Sequence, residues 1–190
     1  MSPVIFPEEV DRKIVFLGLG GSGKTTLVRR LRYGDNFDRN VSTTMGVAIE
    51  LLELKEGEKT IQYLALDCGG QVEFARAIWQ PHVEVADGVV FLFDSTRMDS
   101  VEEAQRWLQE VLSWIKAGVN KGDTPLLFLA NKSDLENAKH LDEIVRTLQL
   151  DKFIGKSFGV YQISAIEGTN VEEAFKWFFQ RIIRDIPQQE

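Results

Sequence analysis

Eight residues, Gly18 to Thr25 (GLGGSGKT), constrain this chain more than any other feature. They follow a short continuous apolar run, KIVFL (Lys13–Leu17), and precede a stretch that reads as a helix from about Lys24 to near Gly34. Strand, glycine-rich turn and helix form the context in which G-x-x-x-x-G-K-[S/T] makes a phosphate loop. Gly18, Gly20, Gly21 and Gly23 let the backbone curl around Ser22 until successive N–H groups converge on phosphate oxygens. The helix N-terminus, with Thr26 in its first turn, favours negative charge. Lys24 is placed to reach the β and γ phosphates, and the Thr25 hydroxyl to ligate Mg2+.

The rest of the chain repeats the pattern. Buried-strand runs recur at GVVFLFD (Gly88–Asp94) and PLLFLAN (Pro125–Asn131), and more weakly at VYQIS (Val160–Ser164). VAIELLEL and TIQYLAL flank KEGEK and read as two paired strands joined by a tight turn, while Asp35–Met45 reads as a loop. Ser100 with Glu103, and Asn170 with Glu173, each fit a capping box that opens an amphipathic helix. Trp107 and Trp177 in those helices read as core. The pattern predicts an α/β fold: a six-stranded, mostly parallel sheet with helices on both faces. Its ligand site would lie at the C-terminal strand ends.

At 190 residues, the chain is expected to form one domain, 1–190, with 1–11 as a short extension. The net charge of −7 argues against a nucleic-acid or anionic-lipid partner. The single cysteine, Cys68, excludes an intrachain disulfide framework and a Cys-rich zinc site. No apolar run approaches the ~20 residues that span a bilayer, and MSPVIFPEEV is too short for a signal-peptide core. A cytoplasmic monomer is expected.

Three further motifs follow the phosphate loop in order. DCGGQ (Asp67–Gln71) ends the strand TIQYLAL. Asp67 can hold Mg2+ through a water, the Gly70 N–H can meet a γ-phosphate, and Gln71 can orient a water for in-line attack. NKSD (Asn131–Asp134) ends another strand. The Asp134 carboxylate can accept hydrogen bonds from guanine N1–H and the exocyclic amine, a donor pair that adenine lacks. Lys132 would lay its stem along the base, beside Asn131. ISAIEG (Ile163–Gly168) is the weakest; its Ser164, Ala165 and Ile166 turn could offer the Ala165 N–H to guanine O6.

Four motifs in this order, over nearly the whole chain, resemble a small Ras-superfamily GTPase. GLGGSGKTTL, DCGGQ and ANKSDLENA with LDEIVRTLQL most resemble the Arf family. The resemblance implies a three-layer P-loop GTPase fold and makes Thr44, in Thr43-Thr44-Met45-Gly46, the second Mg2+ ligand and γ-phosphate sensor. It also implies an exchange factor, a GTPase-activating protein and effectors. The chain departs from the family at Ser2, which replaces the myristoylated glycine, and it ends without a prenylated cysteine. Leu66 and Val47 stand where aromatics are usual. Membrane contact is therefore expected to be weak and GTP-dependent at most, through Val4, Ile5 and Phe6, which are flanked by Pro3 and Pro7. A cap over the sheet edge is the favoured role for that segment.

The function expected is a guanine-nucleotide switch hydrolysing GTP to GDP and phosphate with Mg2+, in Arf-like regulatory or trafficking signalling. Gln71 and Lys24 would act in catalysis, and Thr25, Thr44 and Asp67 at the metal. The alternatives are an ATP-using P-loop kinase, against which NKSD argues, and a GTP-binding scaffold without turnover. Arg39 and Arg76 are the candidates for a catalytic arginine supplied in cis; supply in trans is expected.

Overall fold

The computed structural model describes residues 12–42, 44–56, 59–70, 72–120, 123–153 and 157–183. In chain order the elements are β1 (Arg12–Leu17), α1 (Lys24–Tyr33), β2 (Val47–Glu56), β3 (Lys59–Cys68), α2 (Val72–Val83) and β4 (Gly88–Asp94). Then come α3 (Val101–Ala117), β5 (Leu126–Asn131), α4 (Leu141–Leu148), β6 (Phe158–Gln162) and α5 (Val171–Ile183). The six strands form one sheet in the order β2-β3-β1-β4-β5-β6. β2 runs antiparallel to β3, and every other neighbouring pair is parallel.

Side-chain alternation along β1 sets the layers. Val15 and Leu17 join one apolar cluster with Trp79 of α2, Leu108 of α3 and Ile144 of α4. Ile14 and Phe16 face the other way, into a cluster with Leu27 of α1 and Phe175 and Phe178 of α5. The expected mostly parallel sheet with helices on both faces is what forms.

The register also gathers the motifs. Phe16 lies opposite Asp67, Leu17 opposite Phe91, and Asp94 opposite Asn131, so the loops after β1, β3, β4 and β5 leave the sheet at one end. Because β2 is antiparallel, its first residue, Val47, pairs with Cys68 at the end of β3. The Thr44–Gly46 segment is thereby delivered to the same end.

Some local expectations change. Ser100 makes no side-chain cap bond; its hydroxyl donates to the Arg97 carbonyl at 2.7 Å, because a 3-10 turn (Met98–Ser100) precedes α3 and aims the side chain backwards. Asn170 takes a left-handed backbone (φ 57°) and donates its amide to the Gln162 carbonyl at 2.9 Å. Trp107 is core, as expected, but Trp177 is only partly buried. The Trp177 ring lies over Gly159 and carries the Arg181 guanidinium 3.8 Å from its centroid. The weak last strand begins at Phe158 and closes at Gln162, leaving Ser164 in the following loop. Helices α2 and α4 were not marked by the sequence: the first carries Pro81 within its last turn, and the second has only 8 residues.

Trp79 links the core to the site. It is fully buried, meets Phe91 and Trp107 edge-on, and donates its Nε1–H to the Gly69 carbonyl at 3.0 Å. Trp79→Ala should cost about 3–5 kcal/mol in urea unfolding. Trp79→Phe should retain most of the packing while loosening the Gly69 segment. Unchanged amide exchange around Gly69 in Trp79→Phe would remove this hydrogen bond from the account.

Candidate functional site

The phosphate loop is shaped by two close approaches. Gly18 (φ 138°) lies so near β4 that a Cβ would sit 2.2 Å from the Leu92 carbonyl oxygen. Gly23 (φ 96°) leaves no room either, because a Cβ there would meet Asn131 Nδ2 at 2.2 Å. Lys24 follows and curls back over the loop. Its ammonium donates to the Gly18 carbonyl at 2.7 Å, the Leu19 carbonyl at 3.0 Å and Ser22 Oγ at 3.4 Å. Burial lowers its pKa to about 8, with the nearby Asp67 charge acting in the opposite direction. The N-terminus of α1 has no side-chain cap and no acidic residue in its first turn. A buried ammonium beside uncapped helix N–H groups is a place built for an anion.

Opposite Lys24, three side chains from separate segments meet on one oxygen. Thr25 Oγ1 donates to Asp67 Oδ2 at 2.5 Å, Thr44 Oγ1 reaches the same oxygen at 3.2 Å, and the two hydroxyls are 2.8 Å apart. Asp67 is buried, and its Oδ1 has no hydrogen-bond partner. Burial pushes its carboxyl pKa up, against hydrogen bonds from the threonines and the charges of Lys24 and Arg29. An orphaned carboxylate oxygen beside two hydroxyls fits a small hard cation that takes few protein ligands and completes its shell with phosphate and water. Among the described residues no group of three His, Cys, Asp or Glu side chains could hold a metal.

Gly20, Gly21, Gly23, Lys24, Thr25, Thr26, Thr44, Gly70 and Lys132 are among the residues that line one cleft of about 240 Å3. Gly70 packs directly on the loop: a Cβ would meet Gly20 N at 2.5 Å and the Gly18 carbonyl oxygen at 2.7 Å. Gln71 and Thr43 lie outside the described residues.

Asn131 is buried and uses both ends of its amide. Nδ2 donates to the Ser22 carbonyl at 2.8 Å, and Oδ1 accepts the Ala165 N–H at 2.8 Å. The N–H foreseen for guanine O6 is engaged by Asn131 in this structure, a contact that ties two loops together. Ser164 Oγ donates to Asp134 Oδ1 at 2.5 Å. Lys132 has a left-handed backbone (φ 69°) and donates to Asp94 Oδ2 at 2.5 Å. Burial works to raise the Asp94 carboxyl, but hydrogen bonds from Lys132 and Thr96 together outweigh it and hold the pKa below the usual carboxylate value.

The structure thus brings together the residues of all four motifs that it describes. Sequence reasoning missed Asp94 and Trp79. The signal for Asp94 was present, a carboxylate ending an apolar strand; the register that sets it beside Asn131 comes from the fold. Arg39 and Arg76 are exposed and paired with Glu167 at 3.4 Å and Glu110 at 2.5 Å.

Comparison with known proteins agrees with this geometry. The model of the ADP-ribosylation factor family matches residues 4–182. ADP-ribosylation factor J of Dictyostelium discoideum is 32% identical over 91% of this chain and 86% of its own length. Human ADP-ribosylation factor-like protein 4C is 34% identical over 90% of this chain and 86% of its own. Among solved structures, the Arl6 BBS3 small GTPase of Trypanosoma brucei, with a bound nucleotide analogue GppNp, superposes with a TM-score of 0.78. It is 27% identical and covers 92% of this chain and 99% of that one. With phosphate loop, switch threonine and base motif assembled on one sheet end, the chain belongs to the ADP-ribosylation factor family of small GTPases.

Proposed function

We propose that this protein is a guanine-nucleotide switch that hydrolyses GTP to GDP and phosphate with Mg2+. The observation that carries the reading is the meeting of Thr25, Thr44 and Asp67, from three separate segments, on one oxygen of a buried carboxylate, Asp67 Oδ2, whose other oxygen, Oδ1, has no partner. Thr25 and Thr44, with Asp67 through a water, would hold the ion. When bound, Mg2+ supplies charge neutralisation at the β and γ phosphates. The residues Gly18, Gly20, Gly21, Ser22, Gly23 and Thr26 would surround the phosphates with backbone N–H groups, and Lys24 would place its ammonium on them. Asp134 would select the base, with Asn131, Lys132, Ser164, Ala165 and Ile166 framing it.

Gln71 would orient the attacking water, whose oxygen bonds to the γ-phosphorus as the bond to the β–γ bridging oxygen breaks. The segments around Thr44 and Gly70 would hold the γ-phosphate and relax after its release. The ion pairs of Arg39 and Arg76 support slow intrinsic hydrolysis and an arginine supplied in trans by an activating protein. Exchange factor and effectors complete the cycle. In this reading 1–190 is one G domain, with 1–11 a short extension, and it works in the cytoplasm with weak, GTP-dependent membrane contact. Among the described residues no helix is long and apolar enough to cross a membrane.

Single-turnover hydrolysis tests the reading. Wild type should convert bound GTP slowly and faster with an activating protein, whereas Gln71→Leu should hold GTP even then. A wild type that keeps GTP intact under both conditions is a scaffold without turnover, and the hydrolytic reading falls.

Asp134→Asn should weaken GTP binding by about tenfold or more and admit xanthine nucleotide, because an amide cannot accept both guanine donors. Equal GTP affinity in the variant, with equal ATP affinity in wild type, would show that the base is read elsewhere.

Asp94 gives a pH test. Its folded pKa lies below the ordinary value of 3.8, so its contribution to stability is present above that pH and is lost as pH falls through the folded value. Urea unfolding should place Asp94→Asn about 1–2 kcal/mol below wild type at pH 7. The gap should close below pH 3.8. A gap independent of pH would mean that charge on Asp94 is irrelevant.

A further inference from the structure

Arg30, on the buried side of α1, reaches across to the turn between β6 and α5. Nε donates to the Ala165 carbonyl and Nη2 to the Ile166 carbonyl, each at 2.6 Å. Nη1 pairs with Asp35 at 2.6 Å, and the guanidinium lies over the Phe37 ring at 5.2 Å. The side chain is buried while Asp35 is 88% exposed, so the charge is neutralised from one edge only. Gly168 makes room for the fork; with φ 84°, a Cβ there would meet Arg30 Nη1 at 2.7 Å.

Two consecutive peptide groups are pinned this way. In a trans peptide the C=O and the following N–H point to opposite sides. With the Ala165 carbonyl held by α1, the Ile166 N–H is turned away from α1. With the Ile166 carbonyl held, the Glu167 N–H is turned back onto Ser164 Oγ, which accepts it at 3.1 Å. That same hydroxyl donates to Asp134 Oδ1 at 2.5 Å. An unbroken path therefore runs from the Arg30 guanidinium through the 166–167 peptide and Ser164 to the Asp134 carboxylate.

We propose that Arg30 is a positioning residue for guanine recognition, its guanidinium fixing the Ala165–Ile166 turn so that Ser164 holds Asp134 in the orientation that selects the base. The proposal rests on the reading of Asp134 given above. Arg30 touches no nucleotide. Lysine would be a poor replacement, because a single ammonium lacks the planar fork that serves two carbonyls at once.

The experiment compares dissociation rates of GDP and inosine diphosphate, which lacks the exocyclic amine, from wild type, Asp134→Asn, Arg30→Met and Arg30→Lys. Wild type should release inosine diphosphate about tenfold faster than GDP or more. Arg30→Met should release GDP about tenfold faster than wild type and bring the ratio of the two rates close to one, as Asp134→Asn does. Arg30→Lys should fall between, and it decides the question if Arg30→Met does not fold. A merely structural Arg30 would speed both rates equally. If the wild-type ratio persists in both Arg30 variants while Asp134→Asn loses it, the positioning role is overturned and the base reading stands. If wild type itself shows no preference, the base reading fails and takes this proposal with it.

Discussion

The arrangement of the site depends on one primary amide. Asn131 donates to the Ser22 carbonyl in the phosphate loop and accepts from Ala165 in the turn after β6. Both contacts are buried, where leaving either partner unmade costs about 1–3 kcal/mol. Asn131 can reach both because β5 lies beside β4 and β6, ending level with Asp94. The requirement for glycine at position 23 follows from the same contact, since a Cβ would collide with the Asn131 amide. Phosphate loop and base loop are thus set relative to one another by the sheet.

Around that frame the charged groups are held under tension. Lys24 and Asp67 are both buried, with pKa values pushed towards their neutral forms by desolvation. Lys24 spends its protons on backbone carbonyls, and Asp67 keeps one oxygen unpartnered. Such groups are costly until counter-charges arrive. A phosphate chain and a divalent cation would satisfy both at once, so nucleotide binding and stability are linked in this family fold by mass action. The cleft is small and lined largely by glycine and hydroxyl groups, so recognition comes from backbone and charge and not from apolar area.

Much of this was legible in the sequence because the constraints are local. A strand that ends in glycines before Lys24 leaves few ways to turn, and the apolar runs Gly88–Asp94 and Pro125–Asn131 appear as strands Gly88–Asp94 and Leu126–Asn131. What was not legible depends on geometry set at a distance. Ser100 looks like a cap, yet the turn before it decides where the hydroxyl points. The bond from the Ala165 N–H to the Asn131 amide joins residues 34 apart, and no local pattern announces it. Asp94 resembles any strand-end acid until Lys132 folds onto it. Pro81 concealed α2, although a proline in the last turn removes only one donor. The role of Gln71 lies outside the described residues and still rests on the sequence alone.

The two segments that would read the γ-phosphate are joined by a residue with no side chain. Gly69 donates its N–H to the Gly46 carbonyl at 2.7 Å and accepts the Trp79 indole on its own carbonyl at 3.0 Å. A Cβ on Gly69 would lie 2.7 Å from the Thr44 carbonyl oxygen, so only glycine lets the two segments approach this closely. Gly70 directly follows Gly69, and Thr44 lies two residues before Gly46. A displacement of one segment therefore strains a buried hydrogen bond of the other, and Trp79 carries it into the core against Phe91 and Trp107. Packed cores resist continuous deformation, so such a junction favours two discrete arrangements over a graded response. The antiparallel β2–β3 pair extends the coupling, since Val47 and Cys68 lie opposite one another at its start and the ladder continues to Glu56 and Lys59 at its far end. Site and hairpin are thus joined by contacts made by main-chain atoms and one tryptophan.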